Sequence, residues 1–310
     1  MSVYTVNFLS RELGLHTKVS VIIPNGDVDR PFKLKTREGG LYQVLWLLHG
    51  GTDDYTDFIY NTNIVSYAEA NKIAVVIPED HDAFFTDNYI PNNGHYFTYT
   101  TEELVRMCRS IFPLSPRRED NFVAGNSMGS GGAMKCAVLH PELYGAALML
   151  SGSGIRMHRP EDAWTREFLN KVINDEDVSD YPMVEEPKKD VQMALPIYEA
   201  LKTRKEGLPK LFFTCGTADT YVYPDVQLAL KFYDKMGLDY FFEEIPGYRH
   251  EWPFWDMQLK KALESWLPLK HDLVYLDEKG TVSETETDIR TPSATLTPHV
   301  RKGGKLNGSN

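Results

Sequence analysis

A serine, Ser127, lies in the middle of the sequence Gly-Asn-Ser-Met-Gly at residues 125–129. The apolar segment 121–124 precedes it and has the composition of a buried strand. A strand-to-helix turn at this point is so tight that only small residues fit beside the serine, and it lifts the hydroxyl clear of the backbone. The pattern indicates a nucleophilic serine. Because the pattern arises by chance in roughly one chain in ten of this length, a nucleophilic role for Ser127 requires partner residues elsewhere in the chain.

The partners that a nucleophilic serine needs are a base and an acid. A serine hydroxyl is a weak nucleophile until a base removes its proton, usually a histidine held by a carboxylate. Asp219 follows the apolar run 211–215, and His250 follows the next predicted strand at 240–245. Parallel strands bring their carboxyl ends to one edge of a sheet. The sequence therefore predicts Ser127 as nucleophile, His250 as base and Asp219 as the acid that orients the base.

Donors for an oxyanion are the next requirement. The tetrahedral intermediate of acyl transfer carries a negative oxygen, and N–H groups that are fixed in advance stabilise it. The N–H of Met128, next to the serine, is the first predicted donor. The second should follow the apolar run 44–48, where Gly51 is predicted and Thr52 is the alternative. His49 is expected to hold this loop rather than to transfer protons.

Two further side chains enter the predicted site. Asp225 is an alternative to Asp219 as the acid, although Pro224 and Asp225 are also typical of a helix start. Trp252, two residues after His250, is assigned to substrate contact. An aromatic ring at the mouth of a cleft can hold an acyl chain, a phenolic ring or the face of a sugar.

The elements that must position these residues alternate between strands and helices. Apolar runs of strand length lie at 44–48, 73–77, 122–124, 146–150 and 211–214. Continuous apolar strands are buried on both faces, as in a parallel sheet covered by helices. Two earlier extended segments, 4–10 and 18–24, predict an antiparallel edge. One helix is predicted to start at a capping box formed by Thr100 and Glu103. The fold class is thus α/β, with a mostly parallel central sheet flanked by helices.

The chain of 310 residues, 42% of them hydrophobic, is long enough for one large domain. Residues 1–270 are predicted to form a catalytic domain. Within it, residues 153–207 exceed an ordinary connection and are expected to be an insertion over the carboxyl edge of the sheet. Residues 271–310 are polar and rich in Ser and Thr, so we expect a flexible tail.

Composition limits the partners. A net charge of −11 argues against nucleic acid and anionic membrane surfaces as partners, since both bind clustered Lys and Arg side chains. The N-terminus lacks the pattern of a signal peptide, and no apolar run reaches membrane-spanning length, so a cytoplasmic protein is expected. Three cysteines, Cys108, Cys136 and Cys215, are expected to be reduced core thiols. No metal or cofactor is required by the predicted chemistry, and no pattern in the sequence indicates an oligomeric state.

The chain resembles the esterase D and tributyrin-esterase group of α/β-hydrolases. The resemblance covers residues 3–268 and rests on the following segments in family order: 47–51, 108–113, 117–129, 140–142, 215–219 and 250–252. It implies the α/β-hydrolase fold and hydrolysis of carboxylic esters with short acyl groups. Several members of related groups remove acetyl or feruloyl groups from plant carbohydrate. One departure is visible, because family members often have a Tyr or His where this chain has Ser130.

The function predicted from these observations is that of a serine carboxylesterase acting on short acyl esters, acetyl or similar, through an acyl-enzyme. The substrate would be a small-molecule or oligosaccharide ester. A thioesterase of the S-formylglutathione hydrolase type and a feruloyl esterase are alternatives with the same machinery. An acyltransferase is a further enzymatic alternative. A binding module that kept the fold and lost catalysis is the alternative from another class.

Overall fold

The computed structural model describes residues 1–24, 40–89, 94–157, 159, 162–179, 193–203 and 207–270, together with the backbone of 301–302. Within this part of the chain one nine-stranded sheet has the order β1-β2-β4-β3-β5-β6-β7-β8-β9. The strands are β1 Ser2–Leu9, β2 His16–Ile23, β3 Gln43–Leu48, β4 Ile73–Pro78, β5 Asn121–Asn126, β6 Ala146–Leu150, β7 Lys210–Gly216, β8 Phe241–Ile245 and β9 Arg301–Lys302.

Helices cover both faces of the sheet. They are α1 Asp57–Asn61, α2 Ile64–Asn71, α3 Tyr96–Thr98, α4 Leu104–Ile111, α5 Met128–Leu139, α6 Ala163–Ile173, α7 Ala194–Thr203, α8 Tyr223–Met236 and α9 Trp252–Lys261. Two π-helical stretches extend them, Tyr99–Glu103 between α3 and α4 and Ala262–Trp266 after α9, and a short 3-10 turn at Arg118–Asp120 precedes β5.

The pairing of the strands confirms the predicted fold class. The six strands from β3 to β8 pair in parallel. The two N-terminal strands pair antiparallel with each other, and β2 then pairs antiparallel with β4. The predicted antiparallel edge is therefore present. The chain moves outward from β3 to β4 and then returns to the other side of β3 with β5, so β5 lies inside the sheet.

The interior strands are buried on both faces because their side chains alternate between two cores. Val44, Trp46 and Leu48 of β3 belong to one hydrophobic cluster. Leu45 and Leu47 of the same strand belong to the cluster on the other face, as the two-residue period of a strand requires. This burial explains the continuous apolar runs in the sequence. The edge strand β1, in contrast, alternates between half-buried and exposed residues.

The predicted capping box at Thr100 and Glu103 was wrong. Helical structure already begins at Tyr96, and the Thr100 hydroxyl donates to the Tyr96 carbonyl oxygen. Glu103 accepts hydrogen bonds from the Arg11 N–H and the Ser10 hydroxyl instead. A long-range contact therefore uses the carboxylate that a local motif had assigned to a helix terminus.

Parts of the predicted insertion at 153–207 lie within the described residues. They contain α6, which packs against α8, and α7, which packs against α5 and α6. The boundaries of the domain stay a prediction, and of the predicted tail at 271–310 only the backbone of 301–302 falls inside the described residues. None of the helices in the described ranges is long and apolar enough to cross a membrane. Cys108, Cys136 and Cys215 are buried and free.

Candidate active site

Ser127 occupies a sharp turn between β5 and α5. Its φ of 50° and ψ of −115° lie in a region that side-chain-bearing residues rarely adopt. A Cβ atom at Gly125 would overlap the Gly129 carbonyl, and one at Gly129 would overlap the Leu48 carbonyl. Both glycines are thus a steric requirement of the turn. The Ser127 N–H donates to the Leu150 carbonyl oxygen at 2.9 Å, which ties the turn to β6.

A chain of hydrogen bonds joins Ser127, His250 and Asp219. The Nε2 atom of His250 lies 2.9 Å from Ser127 Oγ, and its Nδ1 atom lies 2.7 Å from Asp219 Oδ2. The Asp219 side chain is fully buried, and its other oxygen accepts the N–H groups of Tyr221 and Val222. A buried carboxylate needs such donors to offset its desolvation. The structure therefore brings together the three residues that the sequence singled out.

The loops that carry Asp219 and His250 are fastened to each other. After β7 the Thr217 N–H donates to the Ile245 carbonyl oxygen, and the Ala218 N–H donates to that of Tyr248. Gly216 allows this approach, because a Cβ there would overlap the Tyr248 backbone. The pairing of the loops sets the acid and the base at hydrogen-bonding distance although 31 residues separate them in sequence.

Two aromatic rings hold the imidazole of His250. Tyr221 presents its ring at 5.3 Å and 72° to that of His250, and Trp255 presents its own at 5.1 Å and 90°. The indole N–H of Trp255 donates to the Ser151 hydroxyl at 2.9 Å, which fixes the indole in turn. Sequence reasoning missed these residues. The only available signal was their closeness in sequence to Asp219 and His250.

The two residues predicted to supply the oxyanion donors line the same cleft. Met128 is the first residue of α5, where backbone N–H groups lack intrahelical acceptors. Gly51 lines the cleft together with Ser127 and Met128. Among the residues that the structure describes, the Gly51 N–H has no hydrogen-bond partner. The Thr52 N–H, in contrast, donates to Asp82 Oδ1 at 2.7 Å.

His49 lies beneath the loop that contains Gly51. It is fully buried, with Nδ1 2.7 Å from the Gly50 carbonyl oxygen and Nε2 3.1 Å from the Asp80 N–H. Burial favours the neutral imidazole, but the hydrogen bond with Glu79 and the charge of Asp80 outweigh it and raise the pKa of His49. Burial also raises the pKa of Asp80 to about 7. These contacts agree with the expectation that His49 holds the loop.

The cleft beside Ser127 has a volume of about 100 Å³. Small residues of two segments form much of its wall, Ser130 and Gly131 after the nucleophile and 151–154 after β6. Tyr221 lies at the same cleft. Within the described ranges, no group of three or more His, Cys, Asp or Glu side chains is placed to hold a metal ion.

Trp252 lies outside the set of residues that line this cleft. Its ring packs edge-on against Phe58 at 5.3 Å and Trp255 at 4.9 Å. The assignment of Trp252 to substrate contact stays a prediction. Trp255 and Tyr221 contact His250 directly, so these are the rings whose positions affect the site.

Asp225, the alternative acid, lines the cleft from the start of α8. The imidazole of His250 is bound to Asp219 rather than to Asp225. Burial raises the pKa of Asp225 to about 6, an effect that Arg166 partly offsets. Its Oδ2 atom is buried and has no hydrogen-bond partner within the described residues. Asp225 therefore carries a charge at neutral pH that its surroundings disfavour.

We expect Asp225→Asn to raise the thermal unfolding temperature at pH 7–8. The folded-state pKa of about 6 exceeds the ordinary 3.8, so the protonated carboxyl group contributes to the stability of the folded protein below about pH 4. This contribution is lost as the pH rises through about 6. The substitution removes the charge that causes this loss. Thermal unfolding followed from pH 4 to 8 tests it, and a gain that does not shrink toward pH 4 would contradict the assignment.

The mostly parallel sheet, with a serine at a strand-to-helix turn and a histidine at hydrogen-bonding distance, defines the chain as an enzyme of the α/β-hydrolase class. Residues 10–265 match the model of the esterase family, which is described as "Putative esterase". The chain belongs to this family. It is a carboxylic-ester hydrolase.

Individual relatives agree with the family. The chain is 27% identical over 280 residues to an acetyl esterase of Caldicellulosiruptor saccharolyticus, an alignment that covers 85% of this chain and 97% of that protein. Among solved structures, the fluorophosphonate-binding serine hydrolase FphF of Staphylococcus aureus has a TM-score of 0.67 at 24% identity, over 86% of this chain and 98% of its own. The S-formylglutathione hydrolase FrmB of the same organism has a TM-score of 0.65 at 23% identity, with the same coverage. These structural similarities confirm the fold.

Proposed function

We propose that this chain is a serine carboxylesterase for short acyl esters that acts through an acyl-enzyme formed on Ser127. The observation that carries the proposal is the hydrogen-bonded series from Asp219 Oδ2 through His250 to Ser127 Oγ, with distances of 2.7 Å and 2.9 Å. These are distances over which a proton can pass from the serine to the imidazole.

In the proposed mechanism, His250 Nε2 accepts the Ser127 proton as Oγ attacks the ester carbonyl. Asp219 accepts the Nδ1–H, which leaves the lone pair on Nε2, and it stabilises the imidazolium that forms. The imidazolium then donates its proton to the leaving alcohol. A water molecule, activated by the same histidine, attacks the acyl-enzyme and releases the acid.

The N–H groups of Met128 and Gly51 are the proposed donors to the oxyanion. Both residues line the cleft with Ser127. The N–H of Thr52, the alternative donor, already donates to Asp82. This contact supports Gly51 as the second oxyanion donor. A donor fixed in this way contributes about 3 kcal/mol to stabilisation of the transition state.

The size of the cleft supports the proposal of a short acyl group. The space beside Ser127, about 100 Å³, is sufficient for an acetyl group. The acetyl esterase among the relatives supports the same choice.

A panel of p-nitrophenyl esters from acetate to decanoate, with methyl ferulate and an acyl glutathione thioester, tests the substrate class. We expect kcat/KM to be highest for acetate or propionate. A highest value on the thioester would support a thioesterase of the S-formylglutathione hydrolase type, and a highest value on methyl ferulate would support a feruloyl esterase.

Product analysis with a competing alcohol would reveal acyl transfer. Failure of a fluorophosphonate probe to label Ser127 in folded protein would contradict the serine mechanism itself.

Gly131 provides a test of the cleft. A Cβ at this position would meet no atom within 4 Å, and Gly131 lies inside α5 at the cleft wall. Gly131→Ala should stabilise the protein by about 0.5–1 kcal/mol, because alanine has the higher helix propensity. Gly131→Leu should narrow the cleft and lower kcat/KM more for long acyl esters than for acetate.

Gly132 is the matched control in the same helix. A Cβ there would lie 2.6 Å from the Phe85 ring, so Gly132→Ala should lower the unfolding temperature. Thermal unfolding measures the stability of the alanine variants, and the ester panel measures the preference of Gly131→Leu for acyl-chain length. An unchanged chain-length profile in Gly131→Leu would contradict the assignment of this wall to substrate binding.

A further inference from the structure

We propose that Asp82 is a positioning residue of the oxyanion-binding loop. Its carboxylate holds the Thr52 N–H and so fixes the neighbouring Gly51 N–H in the direction of the reacting carbonyl. The inference rests on the proposed function, since it assigns a support to one of the two oxyanion donors.

The contact between Asp82 and the loop is short and specific. The Thr52 N–H donates to Asp82 Oδ1 at 2.7 Å, which is the length of a charge-assisted hydrogen bond. A Cβ atom at Gly51 would lie 3.8 Å from the same oxygen. The carboxylate thus lies beside Gly51 and binds the peptide that follows the proposed donor.

Thr52 needs such a partner because of its backbone conformation. Its φ is 66°, a left-handed value that a β-branched residue adopts only at a cost. Strained residues of this kind persist where surrounding contacts hold them. The Asp53 N–H donates to the Gly50 carbonyl oxygen across this loop at 3.4 Å, and the hydrogen bond from the Thr52 N–H to Asp82 is the shorter of the two contacts. Without the Asp82 contact the loop can relax and turn the Gly51 N–H away from the cleft.

The segment that contains Asp82, residues 79–88, is itself strained and firmly anchored. Left-handed φ values between 49° and 57° recur along it at five residues that are not glycine, namely His81, Asp82, Phe84, Phe85 and Asn88. Asp80 Oδ1 accepts the Phe85 N–H at 2.9 Å, and Glu79 Oε1 accepts the His81 N–H at 3.1 Å. Such a concentration of strain is typical of segments with a functional constraint.

The anchoring also connects the two oxyanion donors. Lys135 is buried, and its ammonium group donates to the Phe85 carbonyl oxygen at 3.1 Å and to the Thr86 hydroxyl. Lys135 belongs to α5, whose first residue, Met128, is the other donor. The Asp82 segment therefore holds the Gly51 loop on one side and is fixed to the nucleophile helix on the other.

Because Asp82 is negatively charged, it can support the oxyanion only by positioning an N–H donor and not by stabilising the oxyanion directly. A carboxylate near a developing oxyanion repels it, so Asp82 does not favour the transition state through its charge. What it supplies is a hydrogen-bond acceptor in a fixed place. An asparagine can supply the same acceptor without the charge, whereas an alanine supplies neither.

The test compares Asp82→Ala with Asp82→Asn on p-nitrophenyl acetate. Complete loss of one oxyanion donor costs about 10²–10³ in kcat, and a misdirected donor should cost less. We expect kcat to fall about 10- to 100-fold in Asp82→Ala with KM nearly unchanged, which is the signature of an interaction made in the transition state. Asp82→Asn should keep kcat near that of the parent protein. The affinity for a trifluoromethyl ketone, which forms a tetrahedral adduct, should fall in parallel with kcat.

Asp87→Ala is the matched control. Asp87 lies on the same segment, and its carboxylate accepts the N–H groups of Phe97 and Thr98 at 2.8 Å and 3.0 Å. This variant should lose thermal stability and keep kcat. An equal loss of kcat in Asp87→Ala, or in Asp82→Asn, would overturn the inference, and so would an unchanged kcat in Asp82→Ala. An active Ser127→Ala would overturn the proposed function separately.

Discussion

Replacing Ser127 with alanine is expected to lower kcat on p-nitrophenyl acetate by about 10⁶-fold, the loss found when a triad nucleophile is removed. The variant keeps the cleft and the proposed donors of Met128 and Gly51, so it should still bind substrate and retain a residual rate above that in water. The fold should be unchanged, because the Ser127 N–H and not its side chain bonds to Leu150.

Ser110→Ala is the control for this experiment. Ser110 is an exposed residue of α4 whose hydroxyl donates to the Met107 carbonyl oxygen, so its loss should leave kcat unchanged. Steady-state rates, together with fluorophosphonate labelling followed by mass spectrometry, measure the effect. A Ser127→Ala protein with a rate near that of the parent would show that another group performs the attack.

Replacing Asp219 with asparagine is expected to lower kcat by about 10⁴-fold, since an amide stabilises the wrong tautomer of the histidine. The side-chain NH₂ can donate to His250 Nδ1, which places the proton on Nε2 and removes the lone pair that faces Ser127. The N–H groups of Tyr221 and Val222 bind the Asp219 oxygen that faces away from the imidazole. The loop should therefore keep its shape while the chemistry is lost.

Asp225→Asn separates the two candidate acids. Because His250 is bound to Asp219, kcat should fall far less in Asp225→Asn than in Asp219→Asn. Rates measured from pH 5 to 9 compare both variants with the parent protein. If Asp225→Asn lost the larger part of kcat, the acid would be misassigned and the loop after β7 would have to change shape on binding substrate.

Much of the candidate site was accessible from the sequence because each part depends on local chemistry. The glycines around Ser127 mark a turn that no other residue could form, and the structure shows backbone carbonyls where their Cβ atoms would be. Asp219 follows β7, whose apolar composition is visible in the chain, and His250 follows β8, which begins with two phenylalanines. Since parallel strands end at one edge, the order of elements was sufficient to predict that the three residues would meet.

Contacts between segments far apart in sequence were not accessible. The helix predicted to begin at Thr100 starts at Tyr96, and Glu103 binds the turn after β1 rather than a helix terminus. No local pattern indicates that Asp82 binds the Thr52 N–H, or that Tyr221 and Trp255 flank His250. Such contacts depend on how loops pack across the edge of the sheet.

The sequence by itself determined the class of fold, the tight turn at Ser127 and the order of the three hydrogen-bonded residues. Strand burial, turn sterics and residue chemistry are properties of short segments, so they can be predicted from the sequence of each segment. Only the tertiary structure decided which residues line the cleft, which rings contact the imidazole and how much space lies beside Ser127. These features depend on the relative placement of distant loops, and that placement follows from the packing of the whole domain rather than from any one segment.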